Sequence, residues 1–254
     1  MSFKVDAYSD IGIKKSVNQD ALLVKQAKVP EVGNICLAVL CDGMGGLSCG
    51  EVASSSFIDR MDSWFKAELP KLIETGHTAV LTDTQFDKIK NSWIALTTDM
   101  NDKLKNYGAS KGIRLGTTVV SIIIIENTYL GMNVGDSRAY KFNKQNLEQI
   151  SHDQSYVQQQ MELGIMTAEE ANRSDKKSVL LQCIGASEKV VPEFFIGTID
   201  KGLHFFLCSD GLWRKLTSKE IVEITPQKNG IKKLIDLVKD RGETDNISGL
   251  LVSV

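Results

Sequence analysis

Val119-Val120-Ser121-Ile122-Ile123-Ile124-Ile125 is the most apolar run in the chain, and its reading decides the fold. Interrupted by Ser121, it falls far short of the roughly 20 residues that span a bilayer. It is rich in β-branched residues and continuously apolar from Ile122 to Ile125, which suits a strand covered on both faces. Strand-like runs recur at 3–8, 21–25, 34–41, 116–125, 128–134, 138–142, 193–197, 203–208 and 246–252. Two long helical segments interrupt them. One begins at Ser48, with Ser48 and Glu51 as a capping-box pair, and runs to about residue 68. The other covers 85–107, where Phe86, Ile89, Trp93, Leu96, Met100 and Leu104 keep helical spacing. Shorter helices are expected at 154–163, 168–172, 218–222 and 231–239, two of them with capping boxes (Thr167 with Glu170, Thr217 with Glu220). Two adjacent helices between strands, without regular β-α alternation, disfavour a doubly wound sheet or an α/β barrel. The expected class is α+β, with a central antiparallel β-sandwich of two sheets flanked by pairs of antiparallel helices in α-β-β-α layers. No linker rich in Pro, Gly or Ser and no internal repeat is visible, so residues 1–254 read as one domain.

Composition narrows the function. With 254 residues, 42% hydrophobic, 24% charged and a net charge of −2, the chain is not of the disordered class. Gly at 20 and Pro at 4 exclude collagen-like material. A near-balanced charge argues against a dedicated nucleic-acid binder, which needs a basic excess. The start, Met1-Ser2-Phe3-Lys4-Val5-Asp6, lacks the basic stretch and apolar core of an export signal. Five cysteines (Cys36, Cys41, Cys49, Cys183 and Cys208) form no C-x-x-C pair, so neither a disulfide framework nor a zinc site is indicated. A reducing cytoplasm is the expected location.

The informative feature is repeated. An apolar strand ends and an Asp follows beside Gly: Leu37-Ala38-Val39-Leu40-Cys41-Asp42-Gly43, Met132-Asn133-Val134-Gly135-Asp136, and Phe205-Phe206-Leu207-Cys208-Ser209-Asp210-Gly211. Asp245-Asn246 mirrors the pattern before the last strand. One Asp at a strand end is ordinarily a turn residue. If four such ends converge, however, carboxylates gather that repel one another unless cations lie between them. Oxygen ligands of this kind select Mg²⁺ or Mn²⁺.

Ser9-Asp10-Ile11-Gly12 with Asn18-Gln19-Asp20, Asp42-Gly43-Met44-Gly45-Gly46 with Gly50-Glu51-Val52-Ala53-Ser54, Gly116-Thr117-Thr118, Gly135-Asp136-Ser137-Arg138, Ser209-Asp210-Gly211 and Asp245-Asn246 appear in that order. Together they resemble the motif set of bacterial metal-dependent protein phosphatases, the protein phosphatase 2C family. The resemblance implies a β-sandwich with a binuclear Mn²⁺/Mg²⁺ centre at its edge, and hydrolysis of phosphoserine and phosphothreonine in proteins by a bridging water nucleophile. It implies that Asp42 bridges both metals and that Asp210 and Asp245 hold the first. The Gly43 carbonyl would serve the second, with Asp20 nearby through water. Asp136 matches the position that, with Asp210, binds a third, weaker metal. Residues 158–185 match the variable flap that influences substrate choice. Lys15 stands where the family often has an Arg that holds the substrate phosphate, a point charge in place of a fork. Gln19 replaces a common Glu, Met44 stands where many eukaryotic members carry a His, and Lys177-Ser178 and Gln182 replace commoner Arg-Asn and Arg. The expected partners are phosphorylated proteins, products of a Ser/Thr kinase. Neither nucleic acid nor a membrane is expected as a partner, and the chain is expected to be monomeric.

Other readings compete. Gly46-Leu47-Ser48-Cys49-Gly50 fits the G-x-S-x-G elbow of α/β-hydrolases, but Asp42-Gly43-Met44-Gly45 separates it from its strand, and Ser48 reads better as a helix cap. Cys208 to Arg214 has the C-x5-R spacing of cysteine-dependent phosphatases, yet Asp210 inside that loop would repel a phosphate dianion. His77, His152 and His204 share no spacing, and the lysines between 228 and 241 read as the solvated face of a helix. A catalytically weak, phosphoprotein-binding regulatory module is a further alternative, resting on Lys15 and Gln19.

Overall fold

The computed structural model describes residues 2–30, 32–44, 49–73, 82–144 and 146–254. Two antiparallel sheets lie face to face. One orders β1 (Lys4–Asp10), β11 (Ile247–Ser253), β10 (His204–Cys208), β7 (Arg138–Phe142) and β8 (Leu147–Gln149). The other orders β2 (Asp20–Val29), β3 (Gly33–Met44), β5 (Val119–Ile125), β6 (Thr128–Val134) and β9 (Glu193–Thr198), with the two-residue β4 (Gly116–Thr117) paired to the end of β3. Helices α1 (Gly50–Ala67), α2 (Leu69–Leu72) and α3 (Asp83–Lys111) accompany the second sheet. Helices α6 (Asp210–Trp213), α7 (Ser218–Ile224) and α8 (Gly230–Asp240) accompany the first, while α4 (Tyr156–Glu162) and α5 (Ala168–Arg173) lie between β8 and β9 in sequence. The α-β-β-α expectation is met.

Side-chain alternation explains the layers. Along β3, Ile35, Leu37, Val39 and Cys41 join the core shared with α1 and α3, while Cys36, Ala38 and Leu40 face the core between the sheets. Along β10, Phe205 and Leu207 point between the sheets, and Phe206 and Cys208 point toward α6, α7 and α8. A strand buried on both faces has no polar alternation to show, which is why these segments read as unbroken apolar runs. Trp64 on α1 and Trp93 on α3 meet edge to face at 5.4 Å, and the Trp64 indole N–H donates to Ser92 Oγ at 2.7 Å.

Three expectations need adjustment. The strand expected at 116–125 is divided at Thr118, which stays in register opposite Asp42 and donates its N–H to the Asp42 carbonyl, while the Asp42 N–H is taken by the Thr118 hydroxyl in place of its carbonyl. Helix α3 begins at Asp83 and runs to Lys111; it starts from a Thr82–Gln85 capping box and ends at Gly112 with φ +66°, polar turns that lack an apolar stripe. The short β8, α2 and α6 carry too few residues for a periodic signal. The expected Ser48 cap and the Ser48 elbow, with His77, lie outside the described residues; α1 begins after Cys49 at φ +83°. The five cysteines are free, and all but Cys49 are buried. No helix among the described residues is long and apolar enough to cross a membrane.

Trp64 is fully buried. Trp64→Ala is expected to cost ~3–5 kcal/mol and Ser92→Ala ~1 kcal/mol in urea unfolding, because the first empties the helix–sheet core and the second only unpairs an indole N–H.

Candidate active site

The strand-end aspartates converge. Asp42, near the end of β3, stands opposite Asp20, the first residue of β2, in the antiparallel register. Asp136 follows β6, Asp210 opens α6, and Asp245 precedes β11. Asp42, Gly43, Asp136, Asp210 and Asp245 line a cavity of about 390 Å³, together with Lys15 and Gln19. The Asp20 carboxylate oxygens are buried and, among the described residues, have no well-formed hydrogen bond; Ser248 and Ser209 only partly oppose the cost of its burial.

The backbones of Asp42 and Asp136 are held by polar groups from distant parts of the chain. The Asp42 N–H donates to Thr118 Oγ1 at 3.1 Å, and the Asp42 carbonyl accepts from the Thr118 N–H at 2.9 Å and the Thr117 hydroxyl at 3.1 Å. Thr118 Oγ1 in turn meets Ser137 Oγ at 2.7 Å, joining the β4–β5 break to the Asp136 turn. The Trp213 indole N–H donates to the Asp136 carbonyl at 3.0 Å. Asn246 ties down the loop that carries Lys15: its amide nitrogen donates to the carbonyls of Ile11 (2.9 Å) and Val17 (3.1 Å), and its Oδ1 accepts from the Gln19 N–H at 2.9 Å.

Two glycines are required by close approach. A Cβ on Gly12, at φ +78°, would fall 2.0 Å from the Asp245 carbonyl oxygen. A Cβ on Gly43 would lie 2.3 Å from the Gly50 carbonyl oxygen and 2.5 Å from that of Gln19. Gly43 is therefore a strand residue at the contact of three backbones, where any side chain is excluded.

The electrostatics follow from burial. Desolvation, and then repulsion from Asp20, Asp210, Asp136 and Asp245, pushes the Asp42 carboxyl well above the usual carboxylate range. Desolvation with repulsion from Asp210 and Asp245 raises Asp20 to about 7. Desolvation and Asp210 raise Asp136 to about 7 against the pull of Arg214. Asp210 is raised by desolvation and Asp245, with Arg214 opposing. Two of the chain's own cations relieve the cluster. Lys15 Nζ reaches Asp245 Oδ1 at 2.6 Å, and Arg214 contacts Asp210 Oδ2 at 2.7 Å and Asp136 Oδ2 at 3.2 Å. No such ion pair engages Asp20 or Asp42 among the described residues. Nor, among these residues, do three carboxylate, imidazole or thiolate side chains close on one ion position as they stand. The donor set suits a hard divalent cation in chemistry and in its deficit of positive charge.

Arg114 escaped the sequence reading as a member of the cavity. Exposed Arg114 lines it beside Lys15, and no strand or Asp-Gly signal announces it. Gln19 donates to Glu51 Oε2 at 3.3 Å, a contact that a Glu at position 19 could not make. Arg138 grips Asp153 through Nε and Nη2 at 2.8–3.0 Å and lies 3.4 Å over the Trp213 ring. The competing constellations do not assemble. Cys208 is fully buried, its thiol pushed far up by desolvation. His152 pairs with Glu162 and Glu193, and His204 stacks on Phe142 with Nδ1 at 2.8 Å from Ser253 Oγ. The lysines of α8 are not all a solvated face, since Lys239 holds Asp10 at 2.9 Å.

Because the raised carboxyls bind protons more tightly when folded, their contribution is present at low pH and lost as pH rises through about 7. Metal-free protein is therefore expected to lose thermal stability from pH 5 to pH 8. Asp20→Asn should raise its midpoint at pH 8 by about 2–4 °C, the shift that ~1 kcal/mol gives a chain of this size. A flat profile by calorimetry, unaltered by the substitution, would contradict the buried-repulsion account.

A sequence model described as protein phosphatase 2C matches residues 13–250. Protein phosphatase PhpP of Streptococcus pneumoniae is 27% identical, over 99% of this chain and 97% of its own length. Serine/threonine phosphatase stp of Listeria monocytogenes is 29% identical, over 85% of this chain and 83% of its own. Among solved structures, serine/threonine phosphatase Stp1 of Staphylococcus aureus superposes with a TM-score of 0.84 at 29% identity, covering 100% of this chain and 96% of that one.

Proposed function

Since this chain belongs to the protein phosphatase 2C family and is an enzyme of the phosphatase class, we propose that it removes phosphate from phosphoserine and phosphothreonine in proteins at the aspartate-lined cavity, with Mn²⁺ or Mg²⁺. The observation that carries the reading is the convergence of Asp20, Asp42, Asp136 and Asp210, all with raised pKa, around one cavity that also presents Lys15. A buried cluster of this charge is costly to keep unless its occupant is cationic.

Asp42, Asp210 and Asp245 are the side chains that would hold one ion; Asp42, the Gly43 carbonyl and, through water, Asp20 would serve the other. Bound there, such ions supply charge for the phosphoryl oxygens and lower the pKa of a coordinated water. The remaining work falls to the chain. Lys15, with its pKa raised by Asp245, Asp42 and Asp210 against desolvation, stays cationic and is placed to attract the substrate phosphate. Arg114, at the cavity rim, adds a second positive group. No covalent enzyme intermediate is required, in keeping with the buried state of Cys208. Residues 158–185 would form the flap beside the cleft, because Ser178 and Leu180 line the cavity wall. A phosphoprotein produced by a Ser/Thr kinase is the substrate class, and the catalytic unit is a monomer.

Purified protein is expected to hydrolyse an aryl phosphate and a phosphothreonine peptide with Mn²⁺, to lose turnover in EDTA, and to keep it after thiol blocking. Absence of turnover with either metal from folded protein would instead favour the regulatory module. Asp42→Asn and Asp210→Asn should each lower kcat by ~10²–10³ or more while circular dichroism stays native, the scale for losing a preorganised charge at the reacting centre. Lys15→Ala should raise KM for the phosphopeptide about tenfold with a smaller effect on kcat. Unchanged constants would remove Lys15 from the site.

A further inference from the structure

Arg214 was notable in the sequence only as the last residue of a C-x5-R spacing, and the buried Cys208 disposes of that reading. The guanidinium itself remains to be explained. Asp210 and Arg214 are four residues apart on α6 and its cap, which brings the arginine over the carboxylate. Its Nη1 reaches Asp210 Oδ2 at 2.7 Å and its Nη2 reaches Asp136 Oδ2 at 3.2 Å. The same two nitrogens also donate outward, Nη1 to Ser178 Oγ at 3.3 Å and Nη2 to the Lys177 carbonyl at 3.3 Å. The side chain is 20% exposed, against 6% for Asp136 and 13% for Asp210.

Asp136 and Asp210 are the pair for which the family resemblance implies a third, weaker ion. We propose that in this chain Arg214 takes that ion's place: its guanidinium is a fixed cation between Asp136 and Asp210, and it latches the 177–178 loop to the metal-holding face. An arginine is charged at every working pH, and its planar fork meets two carboxylates at once. A divalent ion at this pair would have to displace the fork and would meet its positive charge. Ordering of the loop is thereby independent of metal concentration. Arg214 acts through Asp136, Asp210 and the loop, so it is a positioning residue. The ion-replacement half rests on the binuclear reading proposed above; the latch does not.

Equilibrium dialysis of the metal-free protein against Mn²⁺, with bound metal counted by atomic emission, tests the first half. The wild type is expected to saturate at two ions per chain. Arg214→Gln should gain a third, weaker one, which Asp136→Asn in the same background abolishes. Arg214→Lys, still cationic, should stay at two. A third ion on the wild type, or the same count in Arg214→Gln, overturns the replacement. A wild type that binds no Mn²⁺ overturns it together with the binuclear reading. Hydrogen exchange of the metal-free proteins tests the latch. Arg214→Gln and Arg214→Lys should both speed exchange across residues 177–181 about tenfold, a loss of ~1.4 kcal/mol, while β11 exchanges as in the wild type. Unchanged exchange at 177–181 overturns the latch whatever the metal count. Both the wild-type count and the Lys variant stand even if Arg214→Gln folds poorly.

Discussion

Asp20 and Asp42 face one another in the register of β2 and β3, at the point where both strands leave the apolar core. Placing two carboxyls there costs free energy, since neither has an ion-pair partner among the described residues and burial raises both. The rest of the site is arranged about that cost. Asp136, Asp210 and Asp245 arrive from other strand ends and add to the repulsion, while Lys15 and Arg214 relieve only the outer members. The centre stays short of positive charge, a deficit that suits hard divalent cations.

Rigidity is the second requirement, and hydrogen bonds from small polar residues supply it. Thr118 interrupts an otherwise ideal strand to bond the Asp42 backbone, and Ser137 links that break to the Asp136 turn. Asn246 spends both ends of its amide on the Lys15 loop. Gly12 and Gly43 let backbones approach to distances that a side chain forbids. The polar motif residues beside each aspartate thus act chiefly on backbone, so the carboxylates cannot swing apart to relieve their repulsion. A loosely held cluster would relax by moving; a held one keeps its demand for cations.

The two basic side chains closest to the carboxylates differ in what they can do. Lys15 is half exposed on a loop and bears a compact charge on a flexible stem. Arg214 is more enclosed, its fork shared among two carboxylates and a loop, with the Trp213 ring 5.4 Å from its centre. One side chain is free to exchange partners, while the other joins the wall of the active cavity to the segment bearing α4 and α5.

Much of this was legible in residues alone. The unbroken apolar run of β5 suits a strand buried on both faces, and adjacent helices without β-α alternation point to two antiparallel sheets between helices. The repeated Asp at strand ends, with the ordered motifs, named Asp42, Asp136, Asp210 and Asp245 as one site. These properties are local: a side-chain period and a residue's place relative to a strand end are written in a few consecutive positions. Arg114, the pairing of Gln19 with Glu51 and the bridge from Arg214 to Asp136 were not legible, because they join residues up to 78 positions apart with no periodic relation. The break at Thr118 escaped for the same reason: its propensity is that of a strand, and only the Asp42 N–H across the sheet, bonded to the Thr118 hydroxyl in place of its carbonyl, interrupts the ladder. Sequence by itself determined which layers form and which acids gather; the tertiary structure decided which cations stand among them, because electrostatic partnership depends on distance in space and burial, not on spacing along the chain.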